Sequence, residues 1–125
     1  MLHTTVLVLA KDRFVAALLG ALIEISGRTA VFPREGELTA VAARHAHADL
    51  VLLDCSLGST TCATVAAGAR EHGQRLLMFS AAHTEREARD IAHHYGIDAF
   101  ALPVSPREFA GHLDRALTVE LPTGS

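Results

Sequence analysis

Lysine is almost missing from this sequence. Of the 11 basic residues in the 125-residue chain, only Lys11 is a lysine; the rest are arginines. Any chemistry that needs a second lysine is closed to this domain alone. Tryptophan is absent and aromatics make up 5%, so the core has to be built from Val, Leu, Ile and Ala. Two cysteines, Cys55 and Cys62, are too few for a disulfide framework and favour a reducing, cytoplasmic setting. No apolar run approaches the ~18–20 residues of a membrane span. The N-terminus has no basic leader region and meets Lys11-Asp12 too soon for a signal peptide. A formal charge of −3 leaves no basic excess for neutralising nucleic-acid phosphates. The expectation is a cytoplasmic domain with no membrane and no direct nucleic-acid partner.

What is present is enough for one core: 50% of residues are hydrophobic and 20% charged. The length is that of a single domain, taken here as residues 1–119, with 120–125 a flexible tail or the start of a linker.

Apolar runs of strand length alternate with helical patterns. Strand β1 is Thr5 to Ala10, continuous and rich in Val and Leu, as for a strand covered on both faces. Helix α1 spans Arg13 to Ile25, with Phe14, Leu18, Leu22 and Ile25 as its apolar face, and Ser26-Gly27 ends it. Strand β2 is Thr29 to Phe32, stopped by Pro33, and helix α2 runs from Glu37 to about Ala46. Strand β3 is Asp49 to Asp54, and α3 is the Ala-rich stretch Ser59 to His72 before Gly73. Strand β4 is Arg75 to Phe79. Thr84-Glu85-Arg86-Glu87 has the spacing of a capping box opening α4, whose inward face is Ala88, Ile91, Ala92 and Tyr95 before Gly96. Strand β5 is Ala99 to Leu102. Ser105-Pro106-Arg107-Glu108 combines an N-cap, an N1 proline and an N3 acid at the start of α5, which presents Phe109, Leu113, Ala116 and Leu117 inward. Crossovers of this length imply right-handed parallel connections. The predicted fold is α/β: a flavodoxin-like (βα)5 doubly wound sheet of five parallel strands, order 2-1-3-4-5.

Sites in such sheets form at the carboxyl ends of the strands, near the topological switch point. That rule selects Ala10, Lys11 and Asp12 after β1, Asp54-Cys55-Ser56 after β3, Ser80-Ala81 after β4 and Leu102-Pro103 after β5.

On the segments TTVLVLAKD, HADLVLLDCSLG, LLMFSAAHTEREA, YGIDAFALPVSPREF and HLDRAL, the chain resembles the response-regulator receiver domains of bacterial two-component signalling, from about Thr4 to Leu117. The resemblance implies a module that answers a histidine kinase. In that family an acidic pair after β1 and a phosphoacceptor Asp ending β3 hold Mg²⁺, and a Lys before Pro at β5 neutralises the phosphoryl group. A hydroxyl ending β4 and an aromatic on β5 relay the change to the α4–β5–α5 face. It implies Asp54 as phosphoacceptor equivalent and Ser80 and Phe100 as switch equivalents.

The match breaks where the chemistry is. The acidic pair falls on Ala10 and Lys11, with Asp12 one residue late, and Phe100-Ala101-Leu102-Pro103 contains no lysine and is one residue short. Mg²⁺ bound with phosphate usually takes more than one carboxylate, and without metal and lysine the transferring phosphoryl group lacks its main stabilisers. The leading expectation is an atypical, pseudo-receiver that is not an enzyme, uses no cofactor or metal, and binds a protein partner or a second copy through the α4–β5–α5 or α1–α5 face. Its output could be transcriptional through an attached domain. One device would be the Lys11 ammonium pairing with Asp54 in place of Mg²⁺. The bland alternatives are a solvated Lys11, an Asp54 bonded only to loop amides, Ser80 as a loop residue and Phe100 as core. Two other functions stay open: a small-molecule regulatory domain using the vacated crevice, and an orthodox receiver phosphorylated on Asp54 with Asp12 in the metal role. The pairs His45/His47 and His93/His94 do not converge on a helix face or match a zinc template. His83 lies nearer the site, and the two cysteines read as small buried residues.

Overall fold

The computed structural model describes residues 4–37 and 47–118. Apart from its first residue, Glu37, the predicted α2 lies outside them, as does the 120–125 tail. The described elements are β1 (Thr5–Leu9), α1 (Arg13–Ile25), β2 (Thr29–Val31), β3 (Leu50–Asp54), α3 (Ser59–Glu71), β4 (Arg75–Ala81), α4 (Glu85–Tyr95), β5 (Asp98–Leu102) and α5 (Pro106–Thr118). All strand pairings are parallel, in the order β2-β1-β3-β4-β5. The predicted strand order therefore stands, and it places the switch point between β1 and β3.

The pleat sorts side chains into two layers, because successive residues of a strand point to opposite faces. Val6, Val8, Leu50, Leu52, Leu77 and Phe79 face one side, where Leu19, Leu22 and Ile23 of α1 and Phe109 and Leu113 of α5 cover them. Leu7, Leu9, Val51, Leu53 and Met78 face the other, against Cys62 and Val65 of α3 and Ala88 and Ala92 of α4. Covered on both faces, the central strands have no polar alternation to show, and β3 is buried throughout. At its start Asp49 stands just outside the strand, where its carboxylate accepts from the Thr5 backbone N–H at 2.8 Å and from the Thr5 hydroxyl at 3.1 Å.

Two helix ends form as their sequences imply. At α5, the Glu108 N–H donates to Ser105 Oγ at 3.1 Å and the Ser105 N–H to Glu108 Oε1 at 3.4 Å, a reciprocal capping box. At the end of α1, Gly27 takes φ +86° and the Arg28 N–H reaches back to the Ile23 carbonyl at 3.1 Å.

Two expectations need correction. The box at Thr84 does not form. Beyond Ala81 the chain makes a 3-10 turn over Ala82–Thr84, and Thr84 Oγ1 donates to the Ala81 carbonyl at 3.1 Å. With its hydroxyl spent as a donor and its φ, ψ at −112°, 13°, Thr84 gives the helix no side-chain cap. The second concerns α1. Of Phe14, Leu18, Leu22 and Ile25, only Leu22 is buried; Leu19, Leu22 and Ile23 make the inward face. This helix carries only two charges, Arg13 and Glu24, so apolar periodicity alone could not say which side faces the sheet. Smaller differences are at strand ends: β4 extends to Ala81 and takes in Ser80, and β5 begins at Asp98.

Candidate functional site

The carboxyl ends of β1, β3, β4 and β5 bring the selected residues to one edge of the sheet. Asp54 is the last residue of β3 and is 5% exposed. Its carboxylate is held by backbone on both sides: the Lys11 N–H donates to Oδ2 at 2.9 Å and the Ser56 N–H to Oδ1 at 2.8 Å. The second bond turns the chain into the 3-10 turn Cys55–Leu57 and makes Asp54 its N-cap. The first ties the end of β1 to the end of β3 across the switch point.

Lys11 thus meets Asp54 through its amide. Its side chain is exposed, and no ion pair among the described residues includes the ammonium. The expected Lys11–Asp54 side-chain pair is therefore corrected. The reason is local: β1 ends at Leu9, so the chain bends at residues 10–12 and turns the N–H of residue 11, not its side chain, toward β3. Asp12 is committed to α1. Its Oδ1 accepts from the N–H groups of Phe14 at 2.7 Å and Val15 at 3.2 Å, satisfying two of the helix's open donors.

Ala10 and Leu102 pack against the layer made by α1 and α5, and the Leu102–Pro103 peptide is cis. Ser80 pairs with Ala101 in the β4–β5 ladder, is 1% exposed, and its Oγ has no hydrogen-bond partner among the described residues. Phe100 is buried in an aromatic cluster. It lies 6.1 Å from Phe79, meets Phe109 edge-on at 5.8 Å, and stacks on His112 at 4.9 Å with 16° between the planes. Sequence reading did not foresee His112 as a member of this cluster; its position one residue before Leu113, on the inward side of α5, was the available signal. The His112 Nδ1 accepts from Arg115 Nη2 at 2.8 Å. Burial first, and the Arg115 charge second, hold the imidazole below its ordinary value. Cys55 and Cys62 are buried free thiols. Burial is the main reason the Cys62 thiol is pushed up to about 11, with Cys55 and Asp54 adding to it. His83 is exposed in the 3-10 turn before α4.

These residues do not fit a Mg²⁺ ion of the receiver kind. The positions of the acidic pair hold Ala10 and Lys11, which supply no carboxylate, and Asp12 Oδ1 caps α1, so Asp54 is the one buried carboxylate among the described residues at this edge. No group of three or more His, Cys, Asp or Glu side chains forms a metal-binding cluster among the described residues. No helix of the described residues is long and apolar enough to cross a membrane.

No protein-family model matches the sequence, and no curated protein matches it. Solved structures do. The chain is similar to a response regulator from Thermotoga maritima, with TM-score 0.77, 16% identity, and coverage of 94% of this chain and 100% of that one. It is similar to a response regulator receiver protein from Burkholderia phymatum, with TM-score 0.75, 19% identity, and coverage of 96% and 99%. The chemotaxis protein CheY4 of Vibrio cholerae gives TM-score 0.74 at 16% identity, covering 93% of this chain and 100% of that one. The fold is that of CheY-like receiver domains.

Proposed function

We propose that this domain is an atypical receiver of two-component-type signalling, working by protein contact and not by Mg²⁺-dependent phosphorylation of Asp54. The observation that carries the reading is the state of the Asp54 carboxylate. A carboxylate that takes a phosphoryl group needs a metal and a cation beside it to absorb charge as it develops. Here the carboxylate closes a backbone junction between β1 and β3, and the neighbouring positions hold Ala10 and Lys11. The reading also accounts for Ser80: a buried hydroxyl at the end of β4 keeps the place of a switch group without a described partner.

On this reading the output surfaces are the α4–β5–α5 face, backed by Phe100 and His112, or the α1–α5 face, and the contact is with a kinase, an attached domain or a second copy. The test is incubation with Mg²⁺ and acetyl phosphate followed by intact-mass measurement. No mass gain is expected. A gain of one phosphoryl group that disappears in Asp54→Asn would establish an orthodox receiver instead.

A further inference from the structure

The outward side of α1 is apolar along its whole length. Phe14, Leu18, Ala21 and Ile25 follow one another at intervals of four, three and four, which places them in one stripe along the helix. The stripe lies opposite the buried residues Leu19 and Ile23. Phe14 is 86% exposed, Ile25 69% and Leu18 49%. Phe32, 46% exposed, lies with its ring over Gly20, where a Cβ would come within 2.7 Å of the ring's Cζ. It widens the patch on one flank. At roughly 200 Å² per phenylalanine, the two rings alone present about 250 Å², and the aliphatic side chains add to that.

The only charges on the helix are Arg13 at its start and Glu24 near its end, both exposed and without an ion-pair partner among the described residues. Each stands at the wrong end for its own helix: the first turn contains no acid and the last turn no base. Eleven residues separate them, about three turns and 16 Å along the axis. They therefore lie nearly in line, on the flank toward Phe32.

We propose that this stripe is the contact surface for a second copy of the chain, packed as an antiparallel α1–α1 pair about a two-fold axis between Leu18 and Leu19. In such a pair each flank meets the same flank of the partner helix, because a two-fold contact pairs residue i with j and j with i. Arg13 then faces Glu24 of the other copy, twice. Each charge also comes to the end of the partner helix whose dipole it complements. Phe14 seats between Ala21 and Ile25 of the other copy, and the exposed alanines Ala17 and Ala21 allow close approach. A parallel two-fold pair would instead leave the two charged flanks on opposite sides of the interface, with no contact between Arg13 and Glu24 of the other copy. The patch falls short of the ~800 Å² per partner of a standard interface, so the dimer is weak, with Kd on the order of tens of micromolar.

This inference rests on the reading of the domain as a contact module, and the two can fail separately. Sedimentation equilibrium of the full chain from about 5 to 500 µM should show a monomer–dimer transition. Leu18→Glu, at a half-exposed position, should weaken it at least about tenfold with unchanged circular dichroism. Arg13→Glu and Glu24→Arg should each weaken it by about threefold or more, and the double swap should recover most of the loss. A wild-type chain monomeric throughout, a dimer indifferent to Leu18→Glu, or a double swap as weak as the single ones would overturn the proposal. A monomer that takes no phosphoryl group would remove the self-association and leave the proposed function standing. A dimer that does take one would do the reverse.

Discussion

Asp54→Asn separates a structural carboxylate from a chemical one. The wild-type group accepts two amide hydrogens, from Lys11 and Ser56, at 2.9 and 2.8 Å. Hydrogen bonds to a charged acceptor contribute about 1.5–3 kcal/mol each. Asparagine keeps one carbonyl oxygen for one amide and turns its NH2 toward the other, so one bond is lost and two donors face each other. Removing a charge from a site that is 5% exposed returns part of that cost as relief of desolvation. The net expectation is a loss of about 1–2 kcal/mol for Asn and about 2–4 kcal/mol for Ala, which frees both amides. With an unfolding entropy of about 2.1 cal/mol/K per residue, each kcal/mol lowers Tm by about 4 °C in a chain of this length.

The assay is urea unfolding followed by far-UV circular dichroism, with melting curves alongside. Equal m-values would show that only stability has changed. The sign of the Asn result is decisive. In a site where several carboxylates crowd together to hold a metal, neutralising one relieves repulsion and stabilises the fold. An Asn variant as stable as the wild type, or more stable, would refute the structural role given to Asp54 and with it the main support for the proposed function.

Ser80→Ala removes a buried hydroxyl that no described residue satisfies, so stability should be unchanged or rise by about 1 kcal/mol; a clear drop in the urea midpoint would contradict this. His112 should make the fold acid-sensitive. Its imidazole is held below the ordinary value by burial and Arg115, so the unfolded chain, titrating near ~6.5, takes up the proton first. The stability is complete above that value and is lost as pH falls through it toward the lower folded one. His112→Asn should flatten the dependence of the urea midpoint between about pH 7.5 and 5.5, and parallel slopes in the two proteins would count against it. Arg28, only 18% exposed, pairs with the more open Asp114 and fastens the turn after α1 to α5. A double-mutant cycle with Arg28→Met and Asp114→Asn should give a coupling of about 0.5–1 kcal/mol that shrinks in high salt; zero coupling at low salt would dismiss the bridge.

The strand order could be read from the chain because each strand is short, apolar and separated from the next by a helix-length pattern, and parallel crossovers leave few arrangements. The start of α5 was legible for a different reason: the Ser105 and Glu108 side chains complete their hydrogen bonds within four residues. Thr84-Glu87 has the same spacing and failed, because the strand before it ran on to Ala81 and the connection closed as a 3-10 turn. Helix α1 failed differently. Its sequence is apolar on nearly every side, so both the stripe over the sheet and the stripe facing solvent satisfy a helical period. Only packing chooses between them, and it leaves Phe14, Leu18 and Ile25 outside.

The site shows where side-chain chemistry misleads. From sequence, Lys11 beside Asp54 reads as an ammonium beside a carboxylate. The fold supplies a cheaper solution. A loop leaving a strand end has an unpaired amide that must find an acceptor, and a buried carboxylate one strand away needs donors. The Lys11 N–H and Asp54 Oδ2 satisfy each other at 2.9 Å, and neither needs the lysine side chain, which would lose its hydration and rotamer freedom to reach the same place. It follows that position 11 should tolerate residues without a charge and reject proline, which has no N–H. Lys11→Met should leave the urea midpoint within about 0.5 kcal/mol of the wild type, whereas Lys11→Pro should lose about 2 kcal/mol or more. If Lys11→Met proves as damaging as Asp54→Ala, the ammonium does hold the carboxylate in solution and the amide-centred account is wrong.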